Sequence, residues 1–171
     1  MSEKTEKSPA APRSPLSRAA DRARVPEQSQ QHPLNPHSEI HGHSLSELVG
    51  LRRTGVHLLR IPPGKESFVF HSHQLEEEWM YVLSGRGLAE IGDEQHEVGP
   101  GDFLGFTTPS VGHHLRNPFS EDLVYLSGGE HREMEVADFP RHNKRMVRVG
   151  RDVTLCPLDQ VETFTLPGNN D

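Results

Sequence analysis

The chain has 171 residues, about the length of one domain, and 32% of them are hydrophobic. Its formal net charge is −7, and no region combines many basic residues with aromatic ones, so we expect no nucleic-acid partner. The longest apolar run, residues 79–83, is far shorter than the about twenty residues of a membrane-spanning helix, so we also expect no membrane partner.

The N-terminus and the cysteine content indicate the compartment. The first residues contain no apolar stretch of the kind found in secretory signals. Cys156 is the single cysteine and cannot form an intrachain disulfide, which suits a reducing environment. Both observations predict a cytoplasmic protein.

Residues 1–40 are predicted to be a disordered N-terminal tail. They contain six of the 14 prolines and no Phe, Trp or Tyr, so they bury too little apolar surface to offset the entropy of ordering. A docking arm or a domain-swapped strand is the alternative. The tail holds six basic and five acidic residues, so residues 41–171 have a net charge of −8.

Residues 41–130 are predicted to form the folded domain. Ser44 and Glu47 have the spacing of a capping box, which predicts a helix over residues 45–49 that ends at Gly50. Short apolar runs separated by turn residues follow, as in an antiparallel sandwich or barrel. The predicted strands are residues 55–61, 67–73, 79–84, 85–91, 92–98, 99–106, 113–117 and 122–127. Residues 131–171 are predicted to be a C-terminal extension that packs on the barrel, with covering strands near residues 145–149 and 152–156.

Histidines and one carboxylate recur at specific places in these strands. His71 and His73 are two residues apart in one strand, so both imidazoles project from the same face. Glu78 begins the next strand, and antiparallel pairing returns its carboxylate to that face. His113 comes from a later strand. Three imidazoles and one carboxylate would bind one divalent transition metal ion (Fe, Mn, Ni or Zn) and leave one or two positions open.

Two segments resemble the two motifs of the cupin superfamily. The first, within residues 64–85, has the motif's histidines, glutamate and glycine, with one spacer a residue longer than usual: His71, His73, Glu78 and Gly85. The second, within residues 101–117, keeps the motif's glycine, proline, histidine and asparagine: Gly101, Pro109, His113 and Asn117. Val111 stands where the family has a glycine, and a histidine doublet replaces a single histidine. The resemblance spans about residues 52–130.

The resemblance implies an all-β fold, a double-stranded β-helix or jelly-roll barrel, with a metal held by His71, His73, Glu78 and His113. His114 is the alternative fourth ligand. It also implies a metal-dependent enzyme that acts on a small oxygen-bearing metabolite, either a dioxygenase-like oxidoreductase or a lyase or isomerase. A non-enzymatic cupin that binds a sugar or another small molecule is the alternative.

Further residues are candidates for roles around the metal. His57, Tyr81 and His114 are candidate proton-transfer groups, although each also has a structural explanation. The basic side chains of Arg60, Arg116 and residues 141–151 would meet an anionic substrate, or would form ion pairs with the acidic body. The apolar residues that alternate along residues 79–83 form an outer strand face that predicts a homodimer.

Overall fold

The computed structural model describes residues 13–165. The helices are α1 (Ala19–Arg22) and α2 (Leu45–Val49), with 3-10 turns at Pro140–His142 and Leu158–Gln160. The strands in chain order are β1 (Gln28–Gln30), β2 (Ile40–Ser44), β3 (Thr54–Ile61), β4 (Ser72–His73), β5 (Glu78–Ser84), β6 (Gly87–Ile91), β7 (Glu94–Val98), β8 (Phe103–Phe106), β9 (His113–Arg116), β10 (Leu123–Glu130), β11 (Met134–Phe139), β12 (Lys144–Val149) and β13 (Asp152–Pro157). Within the described residues, no helix has the length and apolar character needed to cross a membrane.

The strands form three sheets. The largest has the order β1-β2-β3-β10-β5-β8, the second β7-β6-β9 and the third β13-β12-β11-β4. The strand pairs within them are antiparallel. The predicted all-β jelly-roll barrel is therefore confirmed.

The apolar core lies inside the barrel because alternate residues of each strand turn inward. In β5, Met80 and Val82 are buried, whereas Tyr81 and Leu83 on the other face are 40% and 42% exposed. Leu123 of β10 belongs to the same buried cluster and is fully enclosed. Burial of a side chain of this size stabilises the fold by about 1.5–3 kcal/mol.

The turn from β5 to β6 requires glycine. Gly85 has φ +76°, a left-handed conformation, and a Cβ at this position would lie 2.1 Å from the carbonyl oxygen of Asp122. The backbone before β10 therefore passes against the end of β5 at a distance that no other residue permits.

Helix α2 has the predicted bounds. The Ser44 hydroxyl accepts a hydrogen bond from the Glu47 amide at 3.3 Å, and Gly50 ends the helix in the left-handed conformation at φ +82°. Among the hydrogen bonds of residues 13–165, the return bond from the Glu47 carboxylate is not formed, so only half of the capping box exists.

The strand predicted at residues 67–73 is wrong for most of its length. Only Ser72–His73 forms a strand, while Glu66 and His71 make isolated bridges to Arg116 and His113. The alternation is broken because the consecutive residues Val69 and Phe70 are both buried.

The N-terminal arm follows the barrel from Arg13 onward, whereas residues 1–12 of the predicted tail lie outside the described residues. β1 pairs with β2, and Ser38 and Ile40 are buried. Disorder therefore does not extend over the second half of the arm, because its hydrogen bonds to the barrel replace the apolar burial that it lacks.

The C-terminal extension adds two predicted strands, β12 and β13, and one that was not predicted, β11. β11 pairs with β4 through Ala137 and Asp138, opposite His73 and Ser72. The extension is thus bonded directly to the strand that contains one of the candidate metal ligands.

Candidate metal centre

Four side chains from three segments converge at one end of the barrel. His71 and His73 come from the β4 segment, Glu78 from the first position of β5 and His113 from the first position of β9. The Oε2 atom of Glu78 lies 2.9 Å from Nε2 of His113 and 3.3 Å from Nε2 of His73. The Nε2 atoms of His71 and His73 are 3.1 Å apart. The four ligand atoms all lie within 4.8 Å of one another.

The second nitrogen of each ring explains its orientation. Nδ1 of His71 lies 2.7 Å from the carbonyl oxygen of Val69, and Nδ1 of His113 lies 2.9 Å from that of Val111. A carbonyl oxygen only accepts, so each Nδ1 holds a proton, and each Nε2 is directed at the centre, where it presents a lone pair whenever the ring is neutral. Nδ1 of His73 is 3.3 Å from a carboxylate oxygen of Glu135. Lone pairs and one carboxylate oxygen directed at a common point fit a divalent cation.

The pKa shifts of His71 and Glu78 favour this donor set, whereas that of His73 opposes it. Burial lowers the pKa of His71 to about 3, although the charge of Glu78 opposes it. Burial alone would raise the pKa of Glu78, but the hydrogen bonds with His113 and His73 outweigh it and hold this pKa well below its usual range. Burial also acts to lower the pKa of His73, yet its hydrogen bond with Glu78 and the nearby charges raise it overall. A neutral imidazole and an ionised carboxylate are the forms that bind metal.

Further contacts fix the ligand candidates in place. The ring of Phe106 stacks on that of His113, with centroids 3.6 Å apart and planes 5° apart. The Ser110 hydroxyl accepts from the His73 amide at 2.7 Å. Ser127 donates to Oε1 of Glu78 at 3.3 Å, which leaves Oε2 directed at the imidazoles. These contacts thus hold three of the four ligand candidates in position.

Two cavities meet at Glu78. One has a volume of about 200 Å³ and the other of about 180 Å³. Both walls include His57, Glu78 and Ser127. A ligand in either cavity therefore lies against the candidate metal centre.

The three candidates for proton transfer lie in different places. His57 lines both cavities, and burial lowers its pKa, with partial opposition from the charges of Glu47 and Glu78. Tyr81 lies on the exposed outer face of β5 and is in the wall of neither cavity.

His114 is buried on the opposite side of β9 from His113. Its Nε2 lies 3.2 Å from Glu90, and its ring meets the edge of Phe70. The structure thus brings His113, and not His114, to the centre, because neighbouring residues of a strand face opposite ways.

Five of the six arginines that were candidates for meeting an anionic substrate are paired with acids instead. Arg60 pairs with Glu27 and Asp122. Arg116 and Arg141 both pair with Glu90. Within residues 141–151, Arg145 and Arg148 pair with Asp138 and Glu76. The ion-pair alternative therefore describes these side chains.

Some residues around the centre were not anticipated. Glu135 is 62 residues from His73 along the chain, and Ser110 is 37 residues from it. Gln28 and Gln30, in the predicted tail, line the smaller cavity. The pairing of β4 with β11 brings Glu135 near the centre, and that of β1 with β2 brings Gln28 and Gln30; neither pairing leaves a local sequence signal.

Comparisons with known proteins agree with the fold. Residues 57–129 match a family model described as a cupin domain, and no curated protein matches the chain. A structure from Acidithiobacillus ferrooxidans, provisionally named a sugar phosphate isomerase, is 36% identical, with a TM-score of 0.85 over 88% of this chain and 97% of that one.

Two more distant structures are similar in fold alone. A sugar phosphate isomerase from Silicibacter pomeroyi is 20% identical, with a TM-score of 0.71 over 81% of this chain and 92% of that one. A predicted oxalate decarboxylase from Thermotoga maritima is 18% identical, with a TM-score of 0.56 over 65% of this chain and 96% of that one.

Proposed function

The chain belongs to the cupin family, and from that premise we propose that it is a metal-dependent isomerase of a small hydroxycarbonyl metabolite. The observation that supports this most directly is the presence of His57 in the walls of both cavities that reach Glu78. The name of the 36% identical relative favours the same reaction class.

The proposed metal ligands are His71, His73, Glu78 and His113. A divalent ion bound to them would act as a Lewis acid on a substrate oxygen. The chain itself presets the site, because each imidazole is oriented through its Nδ1 and Glu78 is held by Ser127. No ligand candidate then has to reorient when the ion and the substrate bind.

His57 is the group that we assign to proton transfer. Isomerisation removes a proton from the carbon beside the carbonyl and returns one to the former carbonyl carbon, while a hydroxyl proton moves between the two oxygens. A single base in the cavity wall can perform both carbon steps. His57 is half-buried and its lowered pKa keeps the imidazole neutral, so it can accept the proton. A cupin that only binds its ligand would not need such a group.

Metal analysis tests the proposed ligands. We expect protein purified without added metal to retain a stoichiometric divalent ion, and His113→Ala to lose nearly all of it. His114→Ala is the matched control, because His114 faces away from the centre, and it should retain the ion. Loss of the ion from His114→Ala with retention by His113→Ala would reverse the assignment.

Turnover tests the reaction. Sugars of three to six carbons, free and as phosphate esters, are incubated with the metal-loaded protein in D₂O, and isomer formation and deuterium incorporation at carbon are followed by NMR. We expect His57→Gln to lower turnover by about 10²–10⁴-fold, the usual contribution of a general base, without loss of metal.

His96→Gln is the control for His57, since His96 is exposed on β7. The absence of isomerisation with every sugar would refute the proposal. Oxygen consumption during the same incubations would instead favour the dioxygenase alternative.

A further inference from the structure

The two cavities at the centre differ in the chemistry of their walls. The larger cavity has the carboxylates of Glu76, Glu77 and Glu130 in its wall. The smaller one has neutral hydrogen-bonding groups, including Gln28, Gln30 and Ser44, over an apolar side formed by Leu59 and Phe68. The smaller cavity is therefore the better site for the carbon chain of a polar, uncharged ligand.

Among residues 13–165, neither cavity offers a lysine or arginine side chain to a phosphate group. The arginines that pair with acids of the larger cavity's wall are already engaged: Arg132 lies 2.9 Å from Glu130, and Arg148 lies 2.6 Å from Glu76. A phosphate dianion in the larger cavity would face carboxylates, and in the smaller one, beyond the proposed metal ion, it would find no side-chain counter-charge other than an imidazolium.

Gln28 and Gln30 are placed to bind hydroxyl groups. They are two residues apart in β1, so their side chains project to the same face, and both line the smaller cavity. Both residues are exposed, and within the described part of the chain neither amide side chain is engaged by another protein group. An amide both donates and accepts, as a hydroxyl does, so two free amides match a vicinal diol.

β1 is held in position over the cavity. Its register places Gln28 opposite Gly42 and Gln30 opposite Ile40. The preceding residue, Glu27, accepts from Arg60 Nε at 2.9 Å. Gly42 packs so closely on β3 that a Cβ there would lie 2.0 Å from the Leu58 carbonyl oxygen. The backbone that bears the two exposed glutamines is therefore fixed at the rim of the cavity.

We propose that the smaller cavity binds an uncharged polyhydroxylated compound, a free aldose or ketose rather than its phosphate ester, and that Gln28 and Gln30 select it. This inference rests on the proposed function, because it is the proposed function that places the reacting end of the ligand at the metal centre. The cavity volume of about 180 Å³ is below the ~300–1,000 Å³ of pockets for drug-sized ligands, which suits a ligand of a few carbons.

The test measures binding by isothermal titration calorimetry on the full-length, metal-loaded protein. The probes are pentoses and hexoses, each beside its terminal phosphate ester, such as ribose with ribose 5-phosphate and fructose with fructose 6-phosphate. We expect at least one free sugar to bind at least tenfold more tightly than its ester. A panel in which no free sugar binds, or in which no free sugar binds at least tenfold more tightly than its ester, would overturn the inference.

Variants test the role of the two amides. Gln28→Leu and Gln30→Leu should each weaken binding of the preferred free sugar about tenfold while metal content stays unchanged. Ser29→Ala, between them on the opposite face, should bind as the parent does. Equal affinities in all three variants would refute the role of the amides.

Failure of the inference and failure of the proposed function give different results. Free sugars that bind without being isomerised would contradict the isomerase and leave the inference intact. Phosphate esters that bind more tightly than the free sugars and are isomerised would contradict the inference and support the isomerase.

Discussion

His73 differs from the other two histidines of the centre in what orients it. His71 and His113 each place Nδ1 against a backbone carbonyl two residues earlier, whereas His73 uses the carboxylate of Glu135. The same oxygen of Glu135 lies 3.1 Å from the backbone amide nitrogen of Gln74, and Glu135 is only 1% exposed. A charged acceptor makes the imidazole a more basic ligand than a carbonyl does.

Glu135→Gln is therefore expected to weaken metal affinity about 10–100-fold, the usual effect of removing such a partner. The Kd is measured by competition with a chromogenic chelator. Glu97→Gln is the matched control, because Glu97 is exposed on β7 and pairs with Arg86. Equal affinities for Glu135→Gln and the parent protein would mean that Glu135 is only a structural residue.

The positions of the histidines and Glu78 could be predicted, and that of Glu135 could not. The i, i+2 spacing of His71 and His73 determines their common face even though the strand around them is broken, because alternation needs only two extended residues. The contact of Glu135 with His73 depends on which distant strand pairs with β4, and β11 has no signal that specifies this partner.

His32 connects the N-terminal arm to the barrel. Its ring lies edge-on to Phe68 and Phe139, with centroids 6.0 and 5.3 Å away. Its Nδ1 accepts from the Leu34 amide at 3.2 Å. Burial, with a smaller contribution from His142, lowers its pKa below the ordinary value of 6.5.

Because the folded state disfavours the protonated form of His32, this residue should make stability depend on pH. Its contribution to the free energy of unfolding is fully present above pH 6.5, the ordinary pKa of histidine. The contribution is lost as the pH falls through the lower pKa of the folded state, because the unfolded chain binds the proton more readily in this range. Protonation would also remove the acceptor for Leu34, a loss of about 0.5–1.5 kcal/mol.

His32→Asn keeps an acceptor near the position of Nδ1 and cannot titrate. Urea unfolding between pH 7.5 and pH 5 should therefore give a smaller decrease in the free energy of unfolding for His32→Asn than for the parent protein. Identical pH profiles would show that His32 does not titrate on unfolding.

Strands in which buried and exposed residues alternate could be predicted from the sequence, whereas strands that form only because a neighbouring strand pairs with them could not. β5 and the first half of β10 alternate in burial and lie at their predicted places. β1 is exposed along its whole length, so its sequence has no apolar pattern, and it exists because β2 offers free hydrogen-bonding groups. The composition of the arm therefore predicted disorder where the sheet edge imposes order.

The outer face of the six-stranded sheet carries several exposed apolar side chains. Trp79 stacks on Phe103 with centroids 6.3 Å apart, and Tyr81 and Leu83 continue the same face along β5. Phe103 is 65% exposed. Contiguous apolar surface of this kind usually marks an interface, and the occupant that we expect is a second copy of the chain.

Light scattering at micromolar concentration should therefore give the mass of a dimer. The double variant Leu83→Asp and Phe103→Asp should give a monomer with an unchanged circular dichroism spectrum, because both side chains are exposed and carry no core packing. Val153→Asp, at an exposed position of β13, is the control and should remain dimeric. A monomeric parent protein would contradict the prediction.

The place of β10 in the large sheet determines when the barrel can assemble. β10 lies between β3 and β5 and pairs with both, yet it is the last of these three strands in the chain. A nascent chain shorter than about 130 residues therefore exposes two unpaired strand edges and the apolar inner faces beside them. Pairing between such distant segments places folding in the millisecond to second range, slower than for helical proteins. Truncated or stalled chains are consequently the species most prone to aggregation, and completion of β10 is the step that removes this exposure.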